Sequence, residues 1–117
     1  MSEGGDTIGP DPPLRVLLVG DDAEDAATYR LKLQLDGYLT QVASVGEAAR
    51  AVARAGLPDL IFLDLRRPRA DDLKVLRRLQ AGSRTRTIPI VLLSHQSESW
   101  FASQGANLGE LVDVLRI

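Results

Sequence analysis

Two kinds of segment alternate along most of the chain. Short apolar runs that suit strands lie at residues 14–19, 38–43, 60–63 and 88–94, and segments that suit helices lie at residues 23–36, 46–55 and 71–80. Apolar runs of this length, bounded by turn residues, are typical of strands buried on both faces of a parallel sheet. Strands that alternate with helices of ten or more residues predict βαβ units and a mainly parallel α/β sheet.

The predicted helices carry apolar residues at helical spacing. Ala27, Leu31 and Leu35 recur every four residues in the first helix and predict its buried face. Gly37 follows as the residue that ends this helix. The inward positions predicted for the third helix are Leu73, Leu76 and Leu79.

The segment after Ser94 allows three interpretations. The first, which we favour, takes a fifth strand from about Trp100 and then a last helix, so that the fourth helix is shortened or missing. The buried face of that last helix would be Leu108, Leu111, Val112 and Leu115, at i, i+3, i+4 and i+7. The second interpretation keeps a fourth helix at about 96–105 and loses the fifth strand. The third makes residues 111–117 the fifth strand.

Composition indicates one globular domain. The chain has 117 residues, of which 44% are hydrophobic and 26% charged, which suits a single core. Cysteine is absent, which excludes disulfides and thiolate metal sites and fits a reducing cytoplasm. We find no apolar run of membrane-spanning length and no signal-peptide pattern, so a cytoplasmic location is expected. Residues 1–13, rich in Gly, Pro and acids, predict a disordered tail ahead of a domain at 14–117.

Basic residues are concentrated in one segment. Residues 66–86 hold eight of the fourteen Lys and Arg residues and only two acids, Asp71 and Asp72. Such a patch can bind nucleic-acid phosphates, but the segment has no stacking aromatic residue and no recognition motif. A solvated helix face is therefore the favoured interpretation, and nucleic acid is not an expected partner.

Polar residues follow three of the predicted strands. Asp21 and Asp22 follow the first strand, Asp64 the third, and Ser94 ends the fourth. Right-handed crossovers place these strand ends on one rim, where ligands bind in open α/β sheets. Carboxylates in one pocket repel each other unless protons or a cation neutralise them, and oxygen ligands favour Mg²⁺. A carboxylate there can attack phosphorus, although each acid taken alone also suits helix capping.

At these residues the sequence resembles the receiver domain of two-component response regulators. The matching stretches are LLVGDD, LDGYLTQVASVGEAA, PDLIFLDLRRP, the Leu-rich third helix and IPIVLLS, in this order. The resemblance covers residues 14–94 clearly. It implies a doubly wound, flavodoxin-like sheet of order 2-1-3-4-5 and Mg²⁺-dependent phosphorylation by a histidine kinase or phosphotransfer protein. It also implies a conformational switch that a downstream protein partner recognises.

The resemblance assigns roles to particular positions. Asp64 takes the phosphoacceptor position, and Ser94 takes that of the switch hydroxyl. Asp21 takes the position of the direct metal ligand, and the backbone carbonyl of Arg66 that of the other protein ligand. Asp22 is then an additional acid that could assist Mg²⁺ binding. In this register the first family acid falls on Gly20, so Mg²⁺ binding is expected to be weak or lost.

An alternative register uses Asp21 and Asp22 as the acidic pair but shortens the first helix by one residue. The family also has a lysine on the fifth strand that pairs with the phosphate. The only lysines here are Lys32 and Lys74, both before the fourth strand. Under the favoured interpretation Gln104 stands at the position of the missing lysine.

Two functions therefore compete. The first is an atypical receiver that accepts a phosphoryl group on Asp64 and signals through protein contacts. The second is a pseudo-receiver that docks proteins without phosphate. The loop arginines Arg66, Arg67 and Arg69 bear on both, because an arginine near Asp64 would lower its pKa and either take the place of phosphate or assist its binding. An aspartate-nucleophile phosphatase would normally carry a second Asp at position 66, so an enzyme is not expected.

Overall fold

Five strands and four helices alternate along the part of the chain that the structure describes. The structure, a computed structural model, describes residues 12–66 and 68–117. The strands are β1 (Arg15–Val19), β2 (Leu39–Ala43), β3 (Leu60–Asp64), β4 (Ile90–Ser94) and β5 (Val112–Arg116). The helices are α1 (Ala23–Leu35), α2 (Ala48–Ala55), α3 (Ala70–Ala81) and α4 (Glu98–Ser103), with a 3₁₀ turn at Val45–Glu47. The tail predicted at residues 1–13 lies, up to residue 11, outside the described residues.

All four strand pairings are parallel, and the sheet order is β2-β1-β3-β4-β5. This confirms the predicted doubly wound topology, with β2 at an edge as expected. Val19 lies opposite Leu63, and Asp64 lies opposite Leu93. The carboxyl ends of β1, β3 and β4 therefore meet on one rim.

One face of the sheet carries the main core. Alternate strand residues, which point to the same face, pack there against α2, α3 and α4; they include Leu17, Val19, Ile61, Leu63, Ile90 and Leu92. The predicted inward residues of α3, Leu73, Leu76 and Leu79, are all buried in this cluster. Phe101 of α4 is fully buried there as well. The fourth helix is therefore short, as predicted, but it closes the core beside β4 and β5.

The buried face predicted for α1 is wrong. Leu31 is 59% exposed and Leu35 is 78% exposed, whereas Ala26 is buried and Leu33 is half-buried. Leu31 lies five positions after Ala26 in the helix, which turns it about 140° away from Ala26 and from the sheet. The leucines do lie along one side of α1, but α1 packs on β1 and β2 through its other side.

The favoured interpretation of the C-terminal segment is also wrong. The segment around Leu111 to Leu115 forms β5 instead of a last helix, and the structure combines the short helix of the second interpretation with the strand of the third. β5 pairs with β4 from Ile90–Val112 to Ser94–Arg116. An apolar central strand such as β4 needs partners for its backbone groups on both sides, and β5 supplies them. Within the described residues no helix is long and apolar enough to cross a membrane.

Candidate functional site

Asp64 lies at the carboxyl end of β3, next to the end of β1. Its side chain is 11% exposed, and the preceding Leu63 is fully buried. Gly20, which directly follows β1, is the neighbour of Asp64, and a Cβ placed there would stand only 3.3 Å from the Asp64 Cβ. Glycine at position 20 therefore leaves room for the Asp64 side chain where the resemblance would put another acid.

The predicted acids line one pocket with Asp64. This cavity has a volume of about 370 Å³, and its walls are Asp21, Asp22, Asp25, Val45, Asp64, Leu65, Arg66, Arg69, Asp72 and His95. The rim therefore brings together residues that are far apart in sequence. Ser94 does not line this cavity.

Arg66 fills the acidic side of the pocket with its guanidinium group. Its Nη1 lies 2.7 Å from Asp25 Oδ2, and its Nη2 lies 3.2 Å from Asp64 Oδ2. Nη2 also donates to the Tyr29 hydroxyl at 3.1 Å, and the guanidinium carbon lies 5.6 Å from the centre of the Tyr29 ring. The guanidinium thus bridges the predicted acceptor on β3 and an acid on α1, with an aromatic ring on one side.

The remaining predicted metal ligands are engaged in backbone contacts. Asp21 Oδ1 accepts from the Val45 N–H at 3.0 Å, and Asp22 Oδ1 caps α1 by accepting from the Asp25 N–H at 2.9 Å. The Arg66 carbonyl accepts from the His95 N–H at 3.3 Å. One oxygen of each of these three groups therefore has a backbone partner.

As they are arranged, these oxygen ligands do not fit a Mg²⁺ site. Among residues 12–66 and 68–117, no group of three or more His, Asp or Glu side chains could hold a metal ion. Mg²⁺ requires near-octahedral oxygen ligation, usually with one or two free carboxylates. Here the carboxylate of Asp64 is paired with Arg66.

Burial controls the protonation of Asp64. It raises the pKa of this carboxyl above its ordinary value, since the charged form loses water. The charge and the hydrogen bonds of Arg66 act in the opposite direction, and the negative charge of Asp25 adds to the rise. The expected lowering by a nearby arginine is therefore present, but burial outweighs it.

Ser94 and Arg116 stand side by side at the ends of β4 and β5. Ser94 is fully buried, and its hydroxyl accepts from the Gln96 N–H at 3.1 Å. Arg116 is exposed and donates from Nε to the His95 carbonyl at 3.3 Å. Arg116 is thus the cationic residue at this end of β5, paired in register with Ser94.

The assignment of Gln104 to the position of the missing lysine is wrong. Gln104 is the C-cap of α4, and its carbonyl accepts from Arg77 Nη2 at 3.3 Å. The error follows from the misplaced fifth strand, because residues 100–103 are helical.

Sequence reasoning missed two contributors to the pocket, Asp25 and Tyr29. Both lie on α1 and contact the Arg66 guanidinium. They are four residues apart, so they lie on the same side of α1. That spacing, on the helix directly after the acidic rim, was the available signal.

The fold and the acidic pocket match those of a receiver-like module. The family model of the response regulator receiver domain matches residues 16–115. The chain therefore belongs to the response regulator receiver domain family. Phosphorylation, Mg²⁺ binding in the active site and signalling by protein contacts are general to this family.

Two full-length regulators illustrate the similarity. The transcriptional regulator RpaA of Synechocystis, described as DNA-binding, is 34% identical over 95 residues, which cover 81% of this chain and 39% of that protein. The response regulator PleD of Caulobacter vibrioides is 36% identical over 80 residues, which cover 68% of this chain and 18% of that protein. The chain thus spans well under half of the length of these relatives.

Solved structures share the fold. The chemotaxis protein CheY4 of Vibrio cholerae superposes with a TM-score of 0.74 at 22% identity, over 90% of this chain and 87% of that one. The receiver domain of the sensor histidine kinase PA1611 of Pseudomonas aeruginosa has a TM-score of 0.72 at 23% identity, over 90% and 85% of the two chains. That structure holds a magnesium ion coordinated in its active-site cleft.

Proposed function

We propose that this chain is an atypical receiver domain that accepts a phosphoryl group on Asp64. The donor would be the phosphohistidine of a histidine kinase or phosphotransfer protein, and the signal would pass to a downstream protein through surface contacts. The observation that carries the proposal is the position of Asp64, a half-buried carboxylate at the mouth of a central strand in an acidic pocket. In this role the chain is a signalling module and not an enzyme.

The proposed transfer is an in-line displacement at phosphorus. A carboxylate oxygen of Asp64 forms the new P–O bond while the P–N bond of the phosphohistidine breaks. The imidazole leaves with the electron pair and takes up a proton from solvent. The product is an acyl phosphate on Asp64, whose added charge lies beside the Arg66 guanidinium.

We propose that Ser94 and Arg116 contact the phosphoryl group. Ser94 would exchange its contact with the Gln96 N–H for a hydrogen bond to a phosphoryl oxygen. Arg116 would supply the cation that the family carries as lysine, because it pairs in register with Ser94. Asp21, the Arg66 carbonyl and, as additional help, Asp22 would ligate Mg²⁺ only after the Arg66 guanidinium leaves Asp64.

The test is chemical phosphorylation followed by intact mass measurement. Incubation with acetyl phosphate or phosphoramidate should add one phosphoryl group to the wild-type chain and none to Asp64→Asn. Asp59→Asn is the matched control, because Asp59 lies one residue before β3 and accepts from the Arg15 N–H. A wild-type chain that stays unmodified under all conditions would rule out the acceptor role.

A phosphorylation-independent docking module is the second candidate. The Arg66–Asp64 ion pair favours it, because a guanidinium already occupies the side of the acceptor where a phosphoryl group would bind. The same mass measurement separates the two functions. Retention of a protein partner by Asp64→Asn with unchanged affinity would support the docking module.

We expect the partners to be proteins in the cytoplasm. Lys74, Arg77 and Arg78 form an exposed basic face on α3, but this helix carries no aromatic residue for base stacking. The DNA-binding description of RpaA applies to a protein of which this chain matches 39%. A shift assay with duplex DNA at low salt should show no complex.

A further inference from the structure

The contacts of Arg66 resemble those of a resident cation. Two carboxylates, Asp25 and Asp64, contact different nitrogens of one guanidinium at 2.7 and 3.2 Å. The Tyr29 hydroxyl accepts from the same group, and the Tyr29 ring lies at cation–π distance. The Arg66 side chain is 28% exposed, so these contacts form partly out of water, where they are stronger.

We propose that the Arg66 guanidinium is the built-in counter-cation of this pocket and excludes a divalent cation from it. The inference concerns the same site as the proposed function and rests on it for any signalling consequence. It follows from the mismatch between the family's Mg²⁺ site and the donors present. The residue whose carbonyl should ligate the metal folds its own positive side chain back onto the acceptor.

Charge accounts for the exclusion. Asp25 and Asp64 repel each other, and the guanidinium reduces their combined charge from −2 to −1. A divalent cation at Asp64 would face this fixed positive group, so it could bind only after Arg66 leaves both carboxylates. Leaving also separates the guanidinium from the Tyr29 ring and hydroxyl. A planar guanidinium suits this bridge better than an ammonium, because its nitrogens reach both carboxylates in one plane.

One atom of the group is left without a partner. Arg66 Nε is buried and makes no hydrogen bond within the described part of the chain. A buried donor of this kind carries a desolvation penalty. The guanidinium is therefore held through its outer nitrogens and its contact with the Tyr29 ring.

The test is a titration of the whole chain with Mg²⁺ alone. Metals are first removed with EDTA, and the titration is then monitored by amide NMR. We expect no saturable shift in the wild-type protein at millimolar Mg²⁺. Arg66→Met should bind Mg²⁺ at least about tenfold more tightly, with shifts centred on Asp21 and Asp64. Arg69→Met is the matched control, because Arg69 lines the same pocket but its side chain pairs with Asp72 at 3.9 Å. Like the wild-type protein, Arg69→Met should show no saturable shift at millimolar Mg²⁺.

Two results would overturn the inference. One is wild-type binding of Mg²⁺ as tight as that of Arg66→Met; the other is an absence of binding in both proteins. If Arg66→Met does not fold, the Nη signals of Arg66 in the wild-type protein decide the question. Hindered rotation should keep these signals resolved in the wild-type protein, and they should average in Asp25→Asn. Averaged, rapidly exchanging Nη signals in the wild-type protein would contradict the proposed role.

This test is separate from that of the acceptor role. A wild-type chain that never gains a phosphoryl group would overturn the proposed function and leave the Mg²⁺ comparison standing. Tight Mg²⁺ binding by the wild-type protein would overturn the role of Arg66 and leave an Asp64 adduct standing.

Discussion

The pKa of Asp64 is set by opposing influences. Its side chain is 11% exposed, and a carboxylate in such a site loses hydration that a single guanidinium replaces only in part. The result is a pKa raised above the ordinary value of 3.8. The native protein therefore holds the Asp64 proton more tightly than the unfolded chain does.

We expect Asp64→Asn to be more stable than the wild-type protein at neutral pH. Because the folded pKa is raised, the wild-type chain loses stability as pH rises from 3.8 through the folded pKa, whereas the amide does not titrate. Urea denaturation at a series of pH values should show the difference shrinking as pH falls through that window. Asp113→Asn, at an exposed position on β5, controls for the change in net charge. A gap that widens in acid would contradict the direction of the shift.

Gly20 is the second residue whose size affects the site. Gly20→Ala would bring a Cβ to 3.3 Å from that of Asp64, and we expect it to lower the free energy of unfolding by about 1 kcal/mol or more. The matched change is Gly46→Ala, where an added Cβ meets nothing within 4 Å. Equilibrium denaturation of both variants measures the contrast. Equal stabilities would show that Asp64 adjusts without cost.

The sequence could place the acids of the pocket but not its cation. Asp21, Asp22 and Asp64 follow strands, and parallel topology alone brings the ends of those strands to one rim. The direction of the Arg66 side chain depends on which side of α1 faces the rim, because Asp25 and Tyr29 hold it. The rotation of α1 about its own axis is set by packing and not by the local sequence.

At the scale of elements, α1 shows how a regular pattern can mislead. Leu35 repeats the spacing of Leu31 yet is 78% exposed, whereas Leu76 of α3 is fully buried. We expect Leu35→Ala to change the free energy of unfolding by less than about 0.5 kcal/mol. Leu76→Ala should cost about 2–5 kcal/mol, since it leaves a cavity in the core. Urea denaturation distinguishes the two, and a comparable loss in Leu35→Ala would restore the predicted face.

The last strand offers a sharper comparison, because a helix and a strand predict different buried residues. A helix would bury Leu111, Val112 and Leu115 together. In the structure Val112 is 5% exposed, whereas Leu111, just before β5, and Leu115 are 44% and 53% exposed. Val112→Ala should therefore cost about 1–2 kcal/mol. Leu115→Ala should cost less than about 0.5 kcal/mol. Similar losses at both positions would favour the helix.

The sequence could not decide between a helix and a strand for this segment, because its residues satisfy both the helical and the strand periodicity. Val112 and Val114 alternate as strand residues do, while the leucines around them repeat at helical spacing. The deciding factor is non-local: β4 needs a partner at its outer edge, and the β4–β5 ladder provides it. The central strands were predictable because their apolar runs are continuous and suit no other position.

In the whole molecule, the two faces of the sheet are covered unequally. Within the described residues α2, α3 and α4 pack on one face, whereas α1 alone packs on the other. Phe62 and Val91 on the α1 side are half-buried, in contrast to the fully buried Leu63 and Leu92 beside them. The cohesion of the fold therefore depends on the core of α2 to α4 and on the rim contacts of α1, of which the Arg66–Asp25 pair is one.

Because Arg66 joins α1 to β3, its role should be visible in global stability. If the guanidinium already neutralises the pocket, the wild-type melting temperature should be the same in EDTA and in millimolar Mg²⁺. Arg66→Met should melt lower in EDTA, since Asp25 and Asp64 then face each other without a cation. Mg²⁺ at tenfold over its dissociation constant would then restore about 1.4 kcal/mol by linkage. Calorimetry of both proteins in both buffers provides the check, with Arg69→Met expected to follow the wild type. A wild-type protein that Mg²⁺ stabilises to the same degree would show that the metal, and not Arg66, holds the rim together.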